Sequence, residues 1–160
     1  MDRYTLVRPV LLRAYRPEEL NMNKERLDFV NASAEVSVID NLIYIRVSGI
    51  YNDDVALKLI QYLENLIDRI PGSPIRVWDA SGISEGSFQL SSKCIDQIAT
   101  WARQVKAKKA GSVAYMVGSN AISYGMARMY GLKADLESTG VIVLRSLDEL
   151  PPEIKEKLPL

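Results

Sequence analysis

Residues 42–82 read LIYIRVSGIYNDDVALKLIQYLENLIDRIPGSPIRVWDASG, and the pattern of this stretch decides the fold. Leu42 to Ser48 alternates: Ile43, Ile45 and Val47 fall on one side, Tyr44, Arg46 and Ser48 on the other, the period of a strand. Asn52 or Asp53 then offers a side-chain oxygen to the free amides that open a helix. Ala56, Leu59, Ile60, Leu63, Leu66, Ile67 and Ile70 follow at i, i+3, i+4 spacing and form one apolar stripe, with Lys58, Gln61, Glu64 and Asp68 facing water. Pro71-Gly72 stops the helix, and Ile75 to Trp78 is the next strand. Strand, helix, strand in this order is a crossover unit, and crossovers pair their strands in parallel.

Working outward, Val36 and Val38 alternate with Glu35 and Ser37, and Asp40-Asn41 is a turn pair. Residues 34–48 therefore read as a hairpin whose first strand is an antiparallel edge. Downstream, a helix from Leu90 to Lys106 buries Cys94, Ile95, Ile98, Ala102 and Val105, with Trp101 beside them. A strand at Val113–Val117, a helix at Ala121–Tyr130 stopped by Gly131, and an apolar strand at Val141–Leu144 follow. Ser146 and Glu149 have capping-box spacing, and Glu153–Leu158 adds a last turn or two of helix. The expected fold is α/β: a single domain with a mostly parallel sheet of about five strands, an antiparallel edge hairpin and helices mainly on one face. Residues 1–33 show no firm period and read as an N-terminal extension packing on the domain, 34–160, or on a partner. Arg76 and Trp78 are expected to join Tyr44, Arg46 and Ser48 on a mixed face, covered by residues 1–33 or by a second copy in a homodimer.

Composition narrows the function classes. The chain has 160 residues, 48% apolar and 25% charged, enough for a core without disulfides or metals. Twenty basic and twenty acidic residues give zero formal charge, which argues against a dedicated nucleic-acid binder. No histidine is present, so imidazole acid–base chemistry, His-dependent triads and His-bearing metal sites are excluded. One cysteine makes no internal disulfide, and nothing points to an oxidising compartment. The start lacks the apolar run of a signal peptide and no stretch reaches the ~20 apolar residues of a membrane span, so a cytoplasmic, bacterial-style protein is expected. No cofactor or metal is expected.

Four stretches carry a family resemblance: the hairpin end Val47-Ser48-Gly49, the strand end Val77-Trp78-Asp79-Ala80-Ser81-Gly82, the turn Gly118-Ser119-Asn120, and the helix Tyr124 to Tyr130. Their order and spacing over roughly residues 34–150 resemble the STAS domain, in particular the SpoIIAA-like family, related in architecture to Sec14-type lipid-binding domains. The resemblance implies a non-enzymatic regulatory or binding module, with protein partners and in some relatives nucleotides or lipids. In the anti-sigma-factor antagonists a phosphorylated serine lies in an Asp-Ser-Ser-Gly motif at the helix start after the third strand. Here Asp79-Ala80-Ser81-Gly82 corresponds to the strand end itself. The equivalent serine falls near Ser84, Ser87 or Ser91, outside that motif, which leaves Ser84 and Ser87 as phosphorylation candidates by resemblance alone.

Loops at the carboxyl ends of parallel strands gather helix N-termini and free amides, which places the candidate binding site there. It comprises Tyr51, Asn52, Asp79, Ser81, Ser84, Ser119, Asn120 and Tyr124, with Arg145 and Ser146 after the last strand and the Ser81–Phe88 loop as a cover. For Asp79, Ser119 and Asn120 the competing reading is turn and cap chemistry. Arg103, Lys106, Lys108 and Lys109 fall at a helix C-terminus, where positive charge is favourable without any acidic partner. The function expected is binding or regulation through protein or small-ligand contacts. The alternatives are a carrier of a small hydrophobic or lipid-like molecule and a carboxylate-based enzyme, for which no paired Asp/Glu motif is found.

Overall fold

The computed structural model describes residues 23–118 and 140–159. In chain order the elements are β1 (Asn23–Phe29), β2 (Ala32–Ile39), β3 (Leu42–Gly49), β4 (Tyr51–Asn52), α1 (Asp53–Arg69), β5 (Ile75–Gly82), β6 (Phe88–Gln89), α2 (Ser92–Lys108), β7 (Val113–Val117), β8 (Val141–Leu144) and α3 (Pro152–Lys155). The main sheet has the order β1-β2-β3-β5-β7-β8, and β4 and β6 form a separate parallel pair. β1–β2 and β2–β3 are antiparallel; β3–β5, β5–β7 and β7–β8 are parallel. The chain is thus an α/β domain with an antiparallel edge hairpin and a parallel half.

Among the described residues the main sheet has six strands where about five were expected, and the added one is β1, inside the stretch read as an extension. Its sequence NKERLDF turns Leu27 and Phe29 toward the core and Lys24, Arg26 and Asp28 to the other side. A charged edge strand resists pairing with foreign strands, and the same charges hide its period. The two hairpin turns rest on residues that tolerate the left-handed region, Asn31 (φ 60) and Asp40 (φ 54). Gly49 (φ 91) closes the second hairpin onto the first: a Cβ there would lie 2.4 Å from the Asn31 carbonyl oxygen.

Both long helices form as their spacing predicts. Asn52 Oδ1 accepts from the Val55 amide at 3.0 Å and caps α1; Ser91 Oγ accepts from the Cys94 amide at 3.1 Å and caps α2. The stripes from Ala56 to Ile70 and from Cys94 to Val105 are buried in one core cluster that also holds Ile43, Ile45 and Val47 of β3. Lys106 Nζ and Lys109 Nζ donate to the carbonyls of Ser112 and Ile70, so part of the basic cluster closes the C-terminal end of α2. Ser146 makes no side-chain cap bond; Glu149 Oε1 instead accepts from the Arg145 amide at 3.0 Å.

The two faces of β5 are the reverse of the expected ones. The parallel register pairs Ile43 with Arg76, Tyr44 with Val77 and Ile45 with Trp78. Arg76 and Trp78 therefore lie on the helix-covered face, and Ile75 and Val77 lie opposite. The alternation IRVW fits either parity. What decides is the chain's own C-terminus, since Leu150 and Ile154 pack with Leu42, Tyr44 and Val77, and Leu147 and Leu158 border them. The described residues thus supply the cover over β3 and β5 that was expected from residues 1–33 or a second copy. Over β1 and β2 this face is polar, with Lys24 bonded to Glu35 at 3.0 Å. Among the described residues no helix is long and apolar enough to cross a membrane.

Leu150 is 3% exposed in this second cluster. Leu150→Ala is expected to lower unfolding stability by about 2–5 kcal/mol in urea denaturation, the cost of a buried leucine's contacts plus the cavity left behind.

Candidate ligand-binding cleft

A cleft lies between α2 and the sheet. It is lined by Tyr51 of β4, Arg76 and Trp78 of β5, Phe88 and Leu90 of the strap leading into α2, Ile95, Ile98 and Trp101 of α2, and Ala114 and Met116 of β7. Its cavity volume is about 30 Å³. A second hollow, also of about 30 Å³, shares Trp78, Phe88 and Met116 with it and runs to Val47, Asp79, Ala80, Ile83 and Val117 at the carboxyl ends of the strands. Ala114 adds little bulk and Met116 only a flexible chain, so aromatic rings dominate the surface.

Among the described residues, Arg76 is the one charged residue of the lining. It is 1% exposed, and its guanidinium carbon sits 5.0 Å from the centroid of the Trp101 ring, within cation–π range. A guanidinium does not lose its proton in a protein, so this face of the sheet holds a permanent positive charge.

The mouth is held by a clasp. β4 and β6 pair Tyr51 with Phe88 and Asn52 with Gln89, and the Tyr51 and Phe88 rings meet edge to face at 5.5 Å. Next to them the Ser91 amide donates to Asp53 Oδ1 at 2.8 Å, and the Ser91 hydroxyl donates to Asp53 Oδ2. These bonds tie residues 88–91 to the start of α1. The Ser91 hydroxyl, and after it the Ser91 amide, holds the Asp53 carboxyl below the usual carboxylate range. Cys94 lies one turn further on. Burial first, and then the negative charge of Asp53, pushes its thiol up to about 12, which makes it a packing residue rather than a nucleophile.

The residues proposed from sequence divide. Tyr51 lines the cleft but is buried inside the mouth rather than at its rim. Asn52 is used by the α1 cap. Asp79, 2% exposed, borders the second hollow; it accepts from the Tyr44 hydroxyl and from the Ser81 amide at 2.9 Å. Burial and that bond to Asp79 raise the Tyr44 phenol far above its ordinary range. Ser81 and Ser84 are exposed on the strap, where Ser84 and Ser87 share a hydroxyl–hydroxyl bond of 2.8 Å. Ser119, Asn120 and Tyr124, like the helix expected at 121–130, lie outside the described residues.

Sequence reasoning missed Arg76, Phe88, Leu90, Trp101 and Met116 as site residues. The available signal was an arginine inside an apolar strand, in a chain whose two tryptophans sit on that strand and the next helix. The rule that led to the strand ends fits sheets whose order reverses. Here the order runs in one direction, and the hollow opens between helix and sheet. Among the described residues no group of three or more Cys, Asp or Glu side chains gathers as a metal site. The cleft brings apolar and aromatic side chains together next to one cation.

Iodoacetamide is expected to modify Cys94 in the folded protein at least about a thousandfold more slowly than in urea at pH 8, since a thiol at about 12 is thiolate far less often than a free one. Asp53 has its acidity strengthened in the fold, so its contribution is present at neutral pH and is lost as pH falls below about 4. Asp53→Asn should therefore remove part of the fall in stability between neutral and acid pH, read by denaturation at each pH. No family model, no curated protein and no solved structure matches this chain.

Proposed function

We propose that the protein is a binding module that takes a small, largely apolar molecule into the cleft under α2. The observation that carries this reading is the lining itself: Tyr51, Trp78, Phe88 and Trp101 supply four aromatic rings around one hollow, with Leu90, Ile95, Ile98 and Met116 between them. Hollows that receive ligands are lined in this way, with few polar groups. The clasp of β4 and β6 fits a site that opens to load and closes over its contents. A carrier role thus has more support than a site at the strand ends.

Regulation through a protein partner is the second reading. What favours it is the strap, where Ser81, Ser84, Gly86 and Gln89 are exposed beside the mouth. A strap moved by a bound molecule would present a different surface to a partner, as the resemblance to STAS domains implies.

Both tryptophans of the chain line the cleft, so intrinsic fluorescence reads this site directly. Titration with the neutral apolar probe N-phenyl-1-naphthylamine should quench tryptophan emission saturably at micromolar probe. Leu90→Asp, at the half-buried mouth, should weaken that binding by at least about tenfold while circular dichroism stays unchanged. Folded protein that shows no saturable quenching would overturn the proposal.

A further inference from the structure

We infer that Asp53 and Ser91 form the latch of this cleft, and that molecules enter and leave it when the pair releases the strap over residues 84–90. This rests on the reading of the cleft as a binding site and names how access to that site is controlled.

The closed cleft is too small for a ligand. A cavity of about 30 Å³ holds on the order of one or two water molecules. Sites for small organic molecules run to roughly 300–1,000 Å³. Whatever the lining receives, a wall has to move. The wall built to move is the strap, because its bonds close it on itself. Ser84 and Ser87 share a hydroxyl–hydroxyl bond of 2.8 Å, the Ser87 amide donates to the Ser84 carbonyl at 3.0 Å, and the Gln89 side-chain amide donates to the Gly86 carbonyl at 3.0 Å. The strap therefore keeps its shape while it swings out.

Its two ends differ. Upstream, Ile83 is buried and its amide donates to the Ala80 carbonyl at 3.0 Å, while a Cβ at Gly82 would lie 2.5 Å from Ser48 Oγ. That end is fixed in the core. Downstream, the strap carries Phe88 and Leu90 over the cleft and reaches Ser91. The Ser91 amide and hydroxyl both donate to the Asp53 carboxylate, the amide at 2.8 Å. Two bonds from one residue to one carboxylate are charge-assisted and stronger than two neutral ones. Asp53 is only half-buried and Ser91 is exposed, so water takes over each partner as they separate and the join is reversible. Asp53 opens α1 and Ser91 caps α2, so the latch ties the starts of the two long helices together. The pairing of β4 with β6 beside it spans two residues on each strand and is too short to hold the strap by itself.

The test uses the full chain and two readouts. Stopped-flow mixing with N-phenyl-1-naphthylamine gives association and dissociation rates, and hydrogen exchange of peptides spanning 83–91 gives strap opening without any probe. Asp53→Asn keeps the size of the side chain and removes its charge and one acceptor. It is expected to speed association and dissociation together, by about three- to tenfold each, with Kd little changed, and to raise strap exchange by a similar factor while residues 95–105 of α2 stay protected. Asp54→Asn, in the same turn but bonded to Lys58, is expected to change neither readout. Ser91→Asp retains a capping oxygen for α2 and sets a second negative charge against Asp53, so it should open the strap further than Asp53→Asn does. Adding Asp53→Asn to Ser91→Asp should bring the rates back toward wild type, because the amide at position 53 then donates to the carboxylate at position 91. Strap exchange unchanged in both single variants would overturn the inference, as would additive effects in the double variant or equal loss of protection in the strap and α2. Failure of the wild-type protein to bind the probe would overturn the reading of the cleft instead, and exchange would then decide the latch by itself.

Discussion

The parallel register of β3 against β5 governs the rest of the structure. By pairing Ile43 with Arg76 and Tyr44 with Val77, it sends a cation and a tryptophan toward the helices and a valine toward the C-terminal segment. A shift of one residue would exchange the two sets, because side chains alternate across a strand. Val77 would then meet the helices, and Arg76 would be pressed into the apolar cluster of Leu42, Leu150 and Ile154. Burying a charge without aromatic or polar company costs several kcal/mol, on the order of a whole domain's margin of stability. The observed register avoids this by laying Arg76 over Trp101.

The same register explains what the sequence could and could not reveal. Stripes such as Leu59, Ile60, Leu63 and Ile67 contain their own answer, since a helix with one apolar face has one way to turn. The crossover order followed from them. The strand IRVW did not contain its answer: Ile75 and Val77 are apolar, but so is Trp78, and only residues about seventy positions later in the chain settle which side is which. β1 was hidden for another reason. Its one fully buried residue, Leu27, leaves no run long enough to show a period.

The candidate site was legible only where it coincides with strand ends. Tyr51 was reached in this way, and Asn52 and Asp79 proved to be the cap and turn residues that their chemistry also allowed. Arg76, Phe88 and Trp101 come from a strand, a strap and a helix separated along the chain, and no local motif links them. Their meeting is a property of packing, which spacing in sequence does not encode.

Packing also explains why the hollow under α2 persists. α2 is anchored at its start by Asp53 and Ser91 and at its end by Lys106 and Lys109, which bond to backbone carbonyls outside the helix. A helix fixed at both ends cannot slide down onto Ala114 to close the gap that this small residue leaves. The same anchors leave the short β4–β6 pair as the weakest join around the cleft. It consists of two residues on each strand and one ring contact, far less than the eight-residue pairing of β2 with β3. Local opening follows the least-supported segment. A disturbance at this end of the cleft would therefore act on the strap before it acted on α2.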